Sequence, residues 1–297
     1  MRPRFLCVGD LDVDLMVSVS RIPNVDDKVG GQRVCQAIGG MAANVAVGLS
    51  RLGATARLVA SMGDDENGAM AEQALIQEGV DIRYLVCLKG ETTFMCIVLL
   101  TPDGEKSLIR VETAAYLPAL QDIPDAAFDD TEHVHLTLGS EQLARHCIAR
   151  AKAAGATVSL DIEKADVEGN PFRFVDLIPD IDWLFMNQCT RRFIEENAGK
   201  GVLDAAPCVI TTLGSSGSQI VRNGVRTVVS GHAVQVRDST GAGDSLVAAF
   251  LYSRLIEGRP EAEALYRANA AAAMVVQRYG AQTGLPTLTD IERFLAG

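Results

Sequence analysis

The sequence predicts an α/β protein in which a parallel sheet is covered by helices and carries a small β lid. Three observations support this. From residue 133 onward, apolar strand-like runs alternate with helical periodicity, and strands separated by helices pair in parallel. Residues 82–112 break that rhythm, with strand-like runs at 84–87, 93–101 and 107–112 and no helix between them. Two helices open on glycines, at Gly39-Gly40 and Gly241-Ala242-Gly243, which leave backbone near the helix start uncovered.

Residues 4–9 read as a buried strand closing at Gly9. Asp10, Asp12 and Asp14 then alternate with Leu11, Val13 and Leu15, so three carboxylates share one face of extended chain. That face is either a solvated strand surface or a polar wall over a pocket at the strand end, where open α/β sheets bind ligands. Residues 29–38 are again strand-like. Val45, Leu49 and Leu52 recur at helical spacing behind Gly39-Gly40, with Asn44 in the first turns and Gly53 suited to the C-terminal cap. Residues 56–62 form the next buried strand, and residues 69–77 a helix closed by Gly79. Pro102-Asp103-Gly104 supplies a hairpin turn within the β-only stretch. That stretch, about 82–114, together with about 15–37, reads as an antiparallel lid built from two insertions in a βα series. The chain thus reads as one domain, 1–297, with no linker, repeat or low-complexity tract.

Strands at 133–138, 157–162, 182–186 and 208–213 follow, the first two separated by a helix at 141–153. His133 and His135 share a face at i, i+2. With no third ligand nearby they read as polar positions on a partly exposed strand, not as a metal site. Asn223-Gly224 turns a hairpin between 218–222 and 226–229. The second glycine-opened helix runs from about 243 to 257 and another from Pro260 to Gln277. Thr289-Asp290-Ile291-Glu292 reads as the capping box of the last.

A formal net charge of -11 argues against a nucleic-acid or anionic-membrane surface, so an anionic ligand must be held by local donors. No apolar run is long enough to span a bilayer, and the N-terminal residues lack a signal-peptide pattern. Seven scattered cysteines without a CxxC pair read as reduced thiols, hence a cytoplasmic protein. Neither a P-loop, a GxGxxG, a G-x-S-x-G elbow nor an H-E-x-x-H is present. Chemistry concentrates instead in Asp238-Ser239-Thr240-Gly241-Ala242-Gly243-Asp244, at the head of an apolar helix. Uncovered N–H groups and the helix dipole make an anion site there. Asp244 beside that site would repel a bound phosphate. It fits a carboxylate that takes a proton from a hydroxyl attacking the phosphoryl group. A plain N-capped structural helix is the alternative.

Gly39-Gly40-Met41-Ala42-Ala43-Asn44 with Gly53 and Gly63-Asp64-Asp65-Glu66-Asn67-Gly68 resembles the first signature of the ribokinase-like (PfkB) carbohydrate kinase family. Residues 238–244 resemble its second, and Ala268-Asn269 through Gly280-Ala281-Gln282 is similar to the end of bacterial ribokinases. The resemblance spans essentially the whole chain in the right order. It implies a three-layer αβα sandwich with a β lid, ATP and Mg²⁺, and phosphoryl transfer to a sugar hydroxyl. It implies Asp244 as the base and the Gly241, Ala242 and Gly243 amides as the anion hole. Asp14, Gly40 and Asn44, and less directly Asp12, match sugar contacts. Asn187 matches the phosphate and Mg²⁺ side; Thr212, Gly214, Gly217 and Asn269 match the nucleotide side. Asp238 and Thr240, with carbonyls of residues 278–283, resemble a monovalent-cation site for K⁺.

The departures lie elsewhere. Thr190 stands where the family often has a glutamate, Asp161-Ile162-Glu163-Lys164-Ala165 replaces Asp-x-Asn-x-Arg in a form closer to ketohexokinase, and Thr113-Ala114-Ala115 replaces a common Gly-Ala-Asn. Met41 stands where ribokinases carry Lys. The phosphoryl-transfer end matches the family and the acceptor end diverges. The expected activity is therefore a sugar kinase for a ketose, pentose or related polyol. A nucleoside kinase, with Met16, Met41 and Phe94 around a base, is the alternative enzyme. A non-catalytic sugar-binding regulator is the alternative class. The family also implies a homodimer formed through the lid.

Overall fold

In the computed structural model, which describes residues 5–102 and 106–297, an eight-stranded sheet forms the centre. β1 (Phe5–Val8) is four apolar residues, all buried, and leads into β2 (Asp12–Val19). β3 (Gly31–Gly39) returns along β2, and Gly40 starts α1 (Met41–Arg51). Next come β4 (Ala56–Val59), β5 (Ser61–Gly63), α2 (Glu66–Gln77), β6 (Val86–Leu88) and the hairpin of β7 (Met95–Leu100) and β8 (Lys106–Val111). The second half begins with β9 (His133–Thr137), α3 (Glu141–Ala153), β10 (Thr157–Ile162), α4 (Lys164–Val167), β11 (Trp183–Asn187) and α5 (Gln188–Asn197). It ends with β12 (Cys208–Thr212), β13 (Ser218–Arg222), β14 (Val225–Val229), α6 (Ala242–Leu255), α7 (Glu261–Val275) and α8 (Leu288–Ala296).

The central sheet has the order β14-β13-β12-β11-β10-β9-β1-β4. From β12 to β4 every pair is parallel, as the strand–helix alternation requires, and β13 and β14 add an antiparallel edge. The order reverses at β1, which pairs with β4 on one side and with β9 on the other. Such a switch point opens a crevice at the C-terminal strand ends. Asp10, two residues past β1, sits at that crevice.

Two apolar layers cover the sheet. One joins α1, α6 and α7, with Phe250 meeting Trp183 and Phe185 edge-on at centroid distances of 6.4 and 5.7 Å. The other is built from α3, α5 and the opposite strand faces. α1 and α6 pack through small residues: a Cβ added at Gly48 would lie 2.8 Å from the Ala248 Cβ. That close approach brings the two glycine-opened helix starts to the same end of the molecule.

The lid is a four-stranded sheet of order β3-β2-β7-β8. The sequence predicts it antiparallel, but its central pair, β2 and β7, is parallel. The connection between them holds α1 and α2, so it is a crossover and not a hairpin. The run at 84–87 does not join the lid. β6 pairs with β5, because the strand expected over 56–62 breaks at Ala60 and its second half leaves the central sheet. Of the expected turn, Asp103 and Gly104 lie outside the described residues. α2 begins three residues earlier than periodicity suggests, because Asp65 caps it by accepting the Gly68 N–H at 2.9 Å. The last helix is boxed by Thr287 and Asp290, two residues before the expected start.

His133 and His135 are a further correction. They are 1% and 0% exposed, not on an open strand face. Their ring nitrogens share the hydroxyls of Thr157 and Ser159, at 2.8 Å in each contact. Burial pushes both imidazoles down, His135 to about 3, so they are neutral framework groups.

Candidate active site

A cleft of about 660 Å³ lies over the C-terminal ends of β1, β9, β10 and β11 and is bounded by β2, β7 and β8 of the lid sheet. It gathers Asp12, Asp14, Gly40, Asn44, Asn187, Thr212, Thr240 and the whole Gly241–Asp244 stretch, with Asn44 and Asp244 in contact across 200 residues of sequence.

The carboxylate strand is a wall, not a solvated face: Asp10, Asp12 and Asp14 are all buried. Asp10 accepts from the Met41 N–H at 3.0 Å, the Ala42 N–H at 3.4 Å and the Thr137 hydroxyl at 3.3 Å. It pins the start of α1 to the end of β9. Gly39 and Gly40 make room for this packing. A Cβ at Gly39 would lie 2.2 Å from Asp12 Oδ1, and one at Gly40 (φ 92°) would lie 2.6 Å from the Asp10 carbonyl. Asp12 Oδ2 accepts from the Cys96 thiol at 3.3 Å, whereas Oδ1 has no partner among the described residues. A buried carboxylate oxygen without a donor is costly, and a ligand hydroxyl would satisfy it. Donor atoms of Asp12, Asp14 and Cys96 lie within 4.8 Å of one another, the scale of neighbouring hydroxyls on one ring.

At α6, Gly241 adopts the left-handed region (φ 78°) as a cap without a side-chain hydrogen bond. The first helical bond is Ser245 N–H to the Gly241 carbonyl at 2.9 Å. The Gly243 and Asp244 amides have no acceptor among the described residues, and that of Ala242 has only a long contact to Ser239 O at 3.4 Å. These open donors lie at the glycines where the sequence led to an anion site being expected. Asp244 is buried beside them. Its Oδ2 accepts from Asn44 Nδ2 at 2.6 Å, and Asn44 Oδ1 accepts from Gln282 Nε2 at 3.0 Å. Burial holds the Asp244 carboxyl well above its ordinary range, against the opposing hydrogen bond from Asn44.

Asp238 braces the turn before α6. Its Oδ1 accepts from the Thr240 N–H and hydroxyl at 2.9 and 2.7 Å, and its Oδ2 from the Gly280 N–H at 2.9 Å. Asn187 Oδ1 caps α5, accepting the Thr190 N–H and hydroxyl at 2.8 and 3.1 Å. The threonine that stands in place of a glutamate thus closes a helix cap and is itself buried. Gly214, Gly217 and Asn269 do not line the cleft. Asn269 accepts from the Ser218 hydroxyl at 2.7 Å and donates to the Val229 and Ser230 carbonyls at 3.1 Å each, tying α7 to the β13–β14 hairpin.

Three residues near the site were not singled out from the sequence. Lys106 and Arg110 line the cleft from β8, with Leu108 between them, so strict alternation in that strand was the available signal. Lys106 Nζ donates to the Thr240 hydroxyl at 3.0 Å. Gln282 carries no local pattern; only the tertiary contact with Asn44 reveals it.

The Asp14 carboxyl is held up to about 6, chiefly by burial, with Lys106 pulling it back down and Asp238 pushing it up. If Asp14 meets a ligand hydroxyl as a carboxylate, kcat/KM for that ligand is expected to fall about tenfold per pH unit below about 6 and to level off above it. Unfolding does not account for that limb. A carboxyl raised in the folded state binds its proton more tightly there, so its contribution to stability grows as pH falls from about 6 toward 3.8. A pH profile flat down to pH 5 would exclude this role for Asp14.

A family model described as pfkB family carbohydrate kinase matches residues 2–288. The chain belongs to this family. A curated ATP-dependent ribose-1-phosphate kinase from Halopiger xanaduensis is 29% identical over 99% of this chain and 98% of its own length. A ribokinase from Haemophilus influenzae is 27% identical over 99% of each chain. The structure of Arabidopsis thaliana ribokinase complexed with ribose and ATP superposes with a TM-score of 0.83 at 27% identity, covering 100% of both chains. This PfkB protein therefore has the ribokinase fold, a central mostly parallel sheet with a smaller lid sheet, and is an ATP-dependent kinase of the sugar and nucleoside kinase group.

Proposed function

We propose that this kinase transfers the γ-phosphoryl group of ATP to a hydroxyl of a sugar, a ketose, pentose or related carbohydrate, working as one domain closed by its lid sheet. One observation carries the reading. Asp244, raised in basicity by burial, lies next to uncovered helix-start amides in a cleft walled by the buried Asp12 and Asp14. The acceptor hydroxyl lies against Asp12 and Asp14 and loses its proton to Asp244 as its oxygen bonds to the γ-phosphorus. The bond from that phosphorus to the β–γ bridging oxygen breaks, and the electron pair leaves with ADP. The Gly241, Ala242 and Gly243 amides meet the charge on the transferring group. Asn44 holds Asp244 in place and is in turn oriented by Gln282.

Asn187 and Thr212 lie on the nucleotide side of the cleft, with Gly214, Gly217 and Asn269 shaping the loop and helix behind it. Mg²⁺ fits the all-oxygen donors of Asn187, Asp161 and Glu163, and when bound with ATP it neutralises phosphate charge. Asp238 and Thr240, already bridging to Gly280, suit a monovalent cation such as K⁺ that orders the α6 turn. Turnover in K⁺ is then expected to exceed turnover in a bulky organic-cation buffer severalfold. Equal rates in the two would remove the ion.

The lid also supports a homodimer. Val34, Ile109 and Val111 leave 39–49% of their surface exposed on the lid sheet. Light scattering at micromolar concentration is expected to give twice the 31.6 kDa of one chain, and a single-chain mass would refute it. All seven cysteines are free, in keeping with a reducing cytoplasm, and no helix of the described residues is long and apolar enough to cross a membrane.

The test is ATP consumption against ketoses, aldopentoses, sugar phosphates, sugar acids and nucleosides with Mg²⁺ and K⁺ present. Turnover with a carbohydrate supports the reading. Turnover with nucleosides alone would transfer the cleft to a base, for which Met41, Phe94 and Tyr116 are the lining groups; Met16 is fully buried and lies outside it. Binding of ATP without turnover of any acceptor would favour a regulator.

A further inference from the structure

We propose that the acceptor carries a fixed negative charge of its own, a phosphate ester or a carboxylate, seated on Arg110 of β8. The inference rests on the kinase reading above and adds the class of its acceptor.

Among the described residues the cleft is lined by seven carboxylates and two cations, Lys106 and Arg110, both from the same face of one lid strand. A neutral sugar offers only hydroxyls, and Asp12 and Asp14 are matched to those. A cleft serving such a ligand gains nothing from a guanidinium in its lining. Lys106 is accounted for at the phosphoryl end, where its ammonium donates to the Thr240 hydroxyl at 3.0 Å beside the α6 turn. Arg110 lies four residues further along β8, about 13 Å at the usual strand rise. Its guanidinium accordingly meets the Tyr116 and Phe94 rings, whereas the Lys106 ammonium meets the α6 turn.

Arg110 is also held in a way that suits an anion. Its guanidinium lies over the Tyr116 ring at 4.8 Å from the centroid and 5.9 Å from that of Phe94. Those two rings pack edge-on at 4.8 Å, and all three residues line the cleft. The rings hold one side of the fork, and the N–H groups that Glu112 does not take remain for a ligand. Among the described residues its ion pair is with Glu112 at 2.9 Å, a side chain 60% exposed and outside the cleft lining; of the cleft carboxylates, Asp166 and Glu163 feel its charge without forming an ion pair with it. A planar, pre-oriented guanidinium matches two oxygens of a phosphate or carboxylate at once. The chemistry at the other end is unchanged. The acceptor hydroxyl gives its proton to Asp244 and takes the phosphoryl group from ATP, so the product carries its original anion and one new phosphate.

The experiment compares matched acceptors by ADP release: ribose against ribose 1-phosphate, fructose against its 1- and 6-phosphates, and a 2-keto-3-deoxy sugar acid for a carboxylate without phosphate. The anionic member of a pair is expected to exceed the neutral one in kcat/KM by about 100-fold or more, and the phosphate and carboxylate arms separate the two anions. Arg110→Met is expected to collapse that preference to within a few-fold through KM for the anionic acceptor. Arg110→Lys is expected to retain part of it. Neutral sugars turned over best, with Arg110→Met shifting both members of a pair equally, would overturn the inference and leave the kinase reading standing. Absence of ADP release with every acceptor would count against the kinase reading itself. Calorimetric titration of ribose 1-phosphate and ribose, with a non-hydrolysable ATP analogue present, then decides the inference separately. Tighter binding of the phosphate, lost in Arg110→Met, supports it, and equal or absent binding overturns it.

Discussion

Asp244→Asn is expected to lower kcat by about 10³-fold or more while leaving ATP and acceptor affinity within a few-fold. The substitution keeps the shape of the side chain and removes its basicity. In the native site the Asn44 amide donates to Asp244 Oδ2 at 2.6 Å, and an asparagine at 244 can still accept that bond through its carbonyl oxygen. Structure and binding should therefore persist and only proton acceptance is lost. The check is kcat from ADP release set beside acceptor and nucleotide affinities from calorimetry. A variant keeping a tenth of native turnover would remove Asp244 from the chemistry. The buried site sharpens the effect, because no solvent base reaches the hydroxyl easily once the cleft is filled.

Gly241→Ala is the second large effect, expected to cost about 10²-fold in kcat/KM. Gly241 holds φ at 78°, where an L side chain is strained, and an added Cβ would lie 2.7 Å from both Cα and O of Ala281. Either the α6 turn or the 280–285 loop must shift. The turn carries the open amides. The loop carries Gln282, which orients Asn44 and through it Asp244. The loop is in turn held by Arg51, whose guanidinium donates to the carbonyls of Gln282 and Leu285 at 2.7 and 2.8 Å. A displacement on either side thus reaches the proposed base or the proposed anion hole. Steady-state kinetics with thermal melting separates this from simple unfolding. Loss of activity with a melting temperature lowered by only a few degrees is the expected pattern, and native kinetics would show that the turn tolerates a side chain.

How far the sequence reached can be judged from particular residues. Gly241, Ala242, Gly243 and Asp244 were legible because helix-start geometry is local: three small residues and a carboxylate ahead of an apolar run specify the turn without help from the rest of the fold. The parallel sheet was legible from periodicity alone. The alternating aspartates were ambiguous, because period 2 states only that they share a face, and burial of that face depends on the lid strands packed over it. The lid itself was misread in its pairing. β2 and β7 look like neighbours of a meander, yet a crossover separates them, and no local feature of either strand records direction. The break at Ala60 was invisible for the same reason, since both halves of the run are buried and differ only in their partners. His133 and His135 failed in the opposite sense. Their polarity suggested exposure, while the hydroxyls that bond three of their four ring nitrogens come from β10, some twenty-five residues away. Gln282 and Arg110 owe their places to contacts that no spacing rule encodes.

Asp12 and Asp14 belong to β2, and β2 is a strand of the lid sheet, not of the central one. Lys106 and Arg110 ride on the same sheet through β8, whereas Asp244 and the open amides are fixed to α6 in the body. In the proposed reaction the lid carboxylates that grip the acceptor and the group that activates it therefore sit on opposite jaws of the cleft. A tilt of the lid would carry Asp12, Asp14, Lys106 and Arg110 together, while Asn44 and Asp244 stay with the body, and so would change the distance from the held hydroxyl to the base. Affinity and reach are then two readings of the same mechanical coordinate. Substitutions far out on the lid, touching no ligand, should alter both together and in fixed proportion.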